Sequence, residues 1–181
     1  MIRSFWPLLI PFSVVLIGSW RLSTESTISI GGQRVVSRRE KQSFPDYTFP
    51  PSGSLATCQQ DPSLDDALLR EGSRLGVRVI AGQPELVNKD ATYRAEHGRL
   101  GTITLKQRSM SQAVRCMLIS HEFIHVLQHL HGDLKGVESL GWQTTPEGIQ
   151  RFGSIQEAEA YRYQNRAGHV IQLLQQTPIP Q

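Results

Sequence analysis

The pentapeptide HEFIH at 121–125 is the one stretch of this 181-residue chain in which residue type and spacing together specify a chemistry. On a helix, side chains four residues apart project from one face. The imidazoles of His121 and His125 can then close on one tetrahedral Zn²⁺ without bending the backbone. Glu122, next to the first ligand, is placed to act as general base on a water at that metal. With six His and ten Glu in 181 positions, an H-E-x-x-H pattern is expected only ~0.01 times by chance. The competing account is a helix whose two histidines do nothing. It is weakened by the setting, because the motif lies inside an apolar run directly after a strand-like segment.

A catalytic zinc needs a third protein ligand and an open fourth position. His131 completes HEFIHVLQHLH, the metzincin spacing. That geometry requires the helix to break where Gln128 stands, normally a glycine, and no methionine follows Met117 to supply a Met turn. His129 continues the four-residue series, but a straight helix carries it ~6 Å beyond His125, which makes it a supporting or surface histidine. The remaining source is SIQEAEAYRYQ at 154–164, with Glu157 and Glu159 about 200° apart on a helix, so that both cannot face one metal. Ile155, Ala158 and Tyr161/Arg162 form the apparent apolar stripe. Glu159 falls off it with Gln156 and Tyr163, and Glu157 adjoins the Tyr161 side. That facing favours Glu157.

HExxH followed some thirty residues later by Glu-x-x-Ala resembles the gluzincin type of zinc metallopeptidase. The similar proteins are membrane peptidases of the HtpX and CAAX-prenyl-protease kind and the short ImmA/IrrE-like peptidases. The resemblance covers about residues 121–165. It implies a minimal zincin domain in which His121, His125 and Glu157 hold Zn²⁺ and Glu122 is the base. It further implies peptide or protein substrates and a supporting or oxyanion-steadying role for Tyr161. Ala160 matches the family's alanine, whereas Tyr161 stands where Asp or Asn is usual; a phenol accepts less well than Asp from a histidine N–H. In such peptidases an edge strand before the active-site helix pairs with extended substrate, and GTITLK at 101–106 is expected in that position.

The elements that must position these residues follow from periodicity and punctuation. Ser63, with Asp65 and Asp66 after it, opens a helix through Leu75 that Gly76 stops. Val77–Gly82, Ala91–Glu96 and Gly101–Lys106 read as strands. Ser109 or Ser111 starts the long helix carrying HEFIH, a Gly/Thr/Pro loop covers 132–153, and a last helix runs from Ser154 to about Gln175. The fold class is α+β. Trp142 is expected to pack, Tyr93 and His97 to be ordinary strand residues near the cleft, and His169 to sit at the surface or a helix cap. Cys116, roughly 140° round the helix from His121, is no ligand. It can pair with Cys58 if the domain is exported.

Charge and composition bound the function classes. The net charge of +3 divides into +4 over residues 1–45 and −1 over the remaining 136. The folded part therefore has no basic footprint for nucleic acid. Two cysteines exclude a disulfide scaffold and a cysteine-only zinc site. Residues 4–20 are uncharged, with Arg3 before and Arg21 after them. They read as a signal peptide or a membrane anchor within 1–22, giving a secreted or membrane-held protein. A Pro/Ser-rich flexible linker is expected over 23–55, the catalytic-type domain over 56–175 and a tail over 176–181. Two other classes stay open: a zinc-binding module or pseudoenzyme, and a membrane-tethered structural protein without metal.

Overall fold

A computed structural model describes residues 45–47 and 55–180 of the chain, and the apolar segment at 4–20 with most of the expected linker lies outside them. The described residues form an α+β fold of five helices and one three-stranded sheet. In chain order these are α1 (Leu64–Leu75), β1 (Arg78–Ala81), β2 (Ala91–Glu96), β3 (Arg99–Leu105), α2 (Gln112–His131), α3 (Pro146–Phe152), α4 (Ile155–Tyr163) and α5 (Ala167–Gln176). No helix among the described residues is long and apolar enough to cross a membrane.

Helix α2 is the centre of the core. Ser111 caps it by accepting from the Val114 N–H at 3.3 Å. From Cys116 onward nearly every residue is buried, and Ile119, Phe123, Ile124, Val126, Leu127 and Leu130 are fully enclosed. Helix α1 ends, as expected, on Gly76 in the left-handed conformation, φ 92°. It crosses α2 at very close range: a Cβ on Gly72 would lie 2.3 Å from the Phe123 ring. Two further ties join this corner. The buried Asp65 pairs with Arg115, and Cys58 is disulfide-bonded to Cys116. The pairing left open by the sequence is therefore made.

The sheet corrects one expectation. The strand order is β1-β3-β2, with β1 parallel and β2 antiparallel to β3. The GTITLK segment is thus the central strand, and β2 is the edge that reaches the HEFIH helix. The reason lies in its burial: Leu100 to Ile103 are all buried, as befits a strand flanked on both sides. Gly101 permits the close approach, since a Cβ there would sit 1.7 Å from the Arg94 carbonyl oxygen, beside the register shift between Arg94 and Glu96.

The C-terminal half differs more. The expected loop contains α3, capped by Thr145 with Pro146 at its first position. The expected single last helix is two, α4 and α5, with the break at residues 164–166. Tyr47, in the stretch read as linker, is buried; its carbonyl accepts from Trp142 Nε1 at 2.7 Å and its hydroxyl meets Thr177 Oγ1 at 3.3 Å. Trp142 packs, as expected. His169 does not sit at the surface: it is buried in α5 against the Trp142 ring, centroids 5.6 Å apart. The helix break rotates it inward.

Two stability predictions follow from this packing. The disulfide closes a separation of 58 residues, for which loss of chain entropy in the unfolded state is worth roughly 4 kcal/mol. Replacing both cysteines by serine should lower the melting temperature by on the order of 10 °C or more, measured by calorimetry. The second concerns His169, whose pKa burial, helped by Arg166, pushes down to about 4. The unfolded chain takes that proton first, so stability is full above about pH 6.5 and drains as pH falls toward 4, by on the order of 3 kcal/mol. His169→Phe should flatten that part of a melting-temperature-versus-pH curve.

Candidate metal centre

His121 and His125 leave one face of α2 and meet Glu157, which stands at the third helical position of α4. The Ser154 hydroxyl caps α4 by accepting from the Glu157 N–H at 3.1 Å, which fixes the Glu157 backbone. Its side chain is left to face the histidines. The two Nε2 atoms are 3.2 Å apart. Glu157 Oε1 lies 3.3 Å from His125 Nε2, and Oε2 lies 3.7 Å from His121 Nε2. Nitrogen and oxygen ligands at ~2.0–2.1 Å from a tetrahedral zinc are separated by about 3.3 Å, so this donor triangle fits such an ion. Among the described residues these three form a group that can hold a metal, their ligand atoms all within 4.8 Å of one another.

Charge and burial around the triangle agree with its chemistry. Hydrogen bonding to His121 and then to His125 holds the Glu157 carboxyl far below the usual carboxylate range. Burial pushes His125 down, but Glu157, Glu122 and Gln128 together carry it above its ordinary value. Glu122 is 4% exposed. Burial raises its pKa, the two histidines and the backbone of Tyr93 pull the other way, and the net shift is upward. A carboxyl group with a raised pKa is the kind that takes and returns a proton near neutrality.

The triangle opens into a cleft of about 180 Å³. Its walls are edge strand β2 at Ala91, Thr92 and Tyr93, the β1–β2 loop at Leu86 and Lys89, and Tyr161 on α4. Tyr161, expected to support a ligating histidine or an oxyanion, makes its contact with His121 through the ring, centroids 4.5 Å apart. Its far side stacks on Phe152 at 4.1 Å, and its hydroxyl accepts from Lys89 Nζ at 3.0 Å. Lys89 also lies 3.8 Å from Glu157 Oε2. Sequence reading missed Lys89, which sits in a loop with no periodicity to single it out.

The other histidines are excluded from the centre. His131 is exposed and touches the Tyr47 ring edge-on at 6.4 Å. His129 is 1% exposed rather than at the surface, and its Nδ1 meets the Tyr93 hydroxyl at 2.9 Å. Tyr93 is therefore more than an ordinary strand residue, because that hydroxyl also accepts from Gly101 N–H at 3.0 Å. Glu159 contradicts the facing argument. It is fully buried with Ala158, Ala160 and Tyr163, while Ile155 and Arg162 are exposed. The inward face of α4 is thus not the stripe read from its apolar residues, because one of its fully buried side chains is a carboxylate. Glu157 belongs to the triangle nonetheless.

A titration of the purified chain with Zn²⁺ should give one tight site per chain. His121→Ala or His125→Ala should abolish it, and His131→Ala should leave it intact. Loss of zinc on His131→Ala would contradict the geometry. No protein-family model, curated protein or solved structure matches the chain.

Proposed function

We propose that this domain is a zinc-dependent metallopeptidase of gluzincin type, with a minimal zincin-like fold. One observation carries the reading: HEFIH and Glu157 converge on a donor triangle of tetrahedral-zinc dimensions, with the buried Glu122 beside it in an open cleft. A structural zinc would be closed on four sides, whereas three protein donors facing a cleft leave a position for water or substrate. The two-nitrogen, one-oxygen donor set suits zinc among the common divalent ions.

His121, His125 and Glu157 would hold the ion. When bound, zinc supplies Lewis acidity, polarising a carbonyl and lowering the pKa of water. Glu122 takes the proton of the attacking water and returns it to the departing amine. Tyr161 and Lys89, paired at 3.0 Å, present an O–H and an ammonium to the cleft, where negative charge develops on the carbonyl oxygen. Edge strand β2, lining the same cleft, offers main-chain pairing to an extended peptide. Substrates are accordingly peptides or unfolded protein segments. The Cys58–Cys116 disulfide supports a secreted or membrane-anchored location outside the reducing cytosol, in line with the uncharged segment at 4–20.

Glu122→Gln separates hydrolysis from metal binding. On an unfolded protein such as casein, the zinc-loaded variant should lose ~10²–10⁴ of the wild-type rate and keep its zinc. Equal rates in the two proteins would remove Glu122 as base. A zinc-loaded wild type that cleaves nothing would favour the binding module.

A further inference from the structure

Behind His125, on the side away from the cleft, a chain of buried hydrogen bonds leads to Glu159. His125 Nδ1 lies 2.7 Å from Gln128 Oε1. Gln128 Nε2 donates to the Gln156 carbonyl at 3.0 Å and to Glu159 Oε2 at 2.8 Å. Glu159 also accepts from Ser139 Oγ at 2.7 Å, Leu140 N–H at 3.0 Å and Trp142 N–H at 2.9 Å. Gln128 and Glu159 are both fully buried, so water offers neither an alternative partner.

These contacts leave no freedom in the direction of each bond. A carbonyl and a carboxylate oxygen are both acceptors, so the Gln128 group between them must be the NH₂. The Gln128 oxygen is then turned to His125, which must carry a proton on Nδ1. With Nδ1 protonated, the neutral ring, the form that binds a metal, has its lone pair on Nε2, the atom that faces Glu157 and His121. We infer that Gln128, oriented by Glu159, is a positioning residue that fixes the tautomer and rotation of His125 for the metal, and that Glu159 thereby couples the 139–142 loop to the metal centre. This rests on the metal-binding reading of the triangle. The same carboxylate that orders the loop backbone orients the amide that orients the ligand. Partners of this kind typically govern metal affinity by 10–100-fold.

The test uses the full chain and Gln128→Leu, which keeps volume and removes both amide functions. In wild type, imidazole ¹⁵N spectra at alkaline pH, where the ring is neutral, should show His125 as the Nδ1–H tautomer, without metal and with zinc. In Gln128→Leu the metal-free ring should move toward the Nε2–H tautomer, whose proton the Glu157 carboxylate 3.3 Å away accepts, and zinc affinity should fall roughly 10–100-fold. The d–d absorption of bound Co²⁺ should shift, while His121→Ala remains the variant that loses the site altogether. Glu159→Gln should do the same and also loosen residues 139–142; if it fails to fold, Gln128→Leu still decides. A folded Gln128→Leu with an unchanged His125 spectrum and unchanged zinc affinity overturns the inference. If wild type binds no zinc, the metal reading falls separately, and the His125 spectra alone decide the tautomer.

Discussion

Helix α2 carries Ser120, His121, Glu122, Gln128 and His129 into the core together with its apolar residues, and each buried polar group must find a partner or cost stability. Much of the surrounding fold answers that demand. Strand β2 brings Tyr93 to His129, and α4 brings Glu157 to the two histidines and Glu159 to Gln128. The 139–142 loop closes on the same Glu159 carboxylate. An apolar helix in this place would have left α4 free to dock in several rotations. The polar residues select one.

That selection connects stability with the proposed chemistry. His121, His125 and Glu157 are held as a triangle by elements whose packing is set elsewhere: Phe123 against Gly72, Ser154 capping α4, and the disulfide at the start of α2. A site built on two helices rather than on loops keeps its donors at fixed separations, as a metal requires. The wall of the cleft opposite is built differently. Lys89 lies in the β1–β2 loop, with Leu86 exposed beside it. The cleft is thus walled partly by a loop, whereas the donor triangle stands on two helices.

How much of this could be read from the sequence differs from residue to residue. HEFIH was legible because its meaning lies within one turn of helix. The three strands and α1 were legible because alternation, the acidic first turn at Asp65 and Asp66 and the Gly76 stop are local signals, although Ser63 makes no capping bond and its hydroxyl donates to Asp61 instead. The order of the strands was not, since β3 is central through contacts on both sides that its own sequence does not encode. The structure does place Glu157 beside the two histidines, but the stripe that led to it was misread, because a buried carboxylate with four donors looks like a surface residue in any hydropathy pattern. Gln128 carried a usable signal: a neutral polar residue three positions after the second histidine of HEFIH, in a run that also holds Val126, Leu127 and Leu130. His169 and Tyr47 had none, because their burial depends on the α4–α5 break and on Trp142.

The account stands most directly on which atoms hold the metal. X-ray absorption fine structure at the zinc edge, on the chain loaded with one equivalent, reads that set without any assumption about substrate. Two imidazoles with Zn–N at ~2.0–2.1 Å and oxygen donors from one carboxylate and water are the predicted result. A third imidazole, a sulfur ligand, or zinc that remains fully hydrated in solution would contradict it.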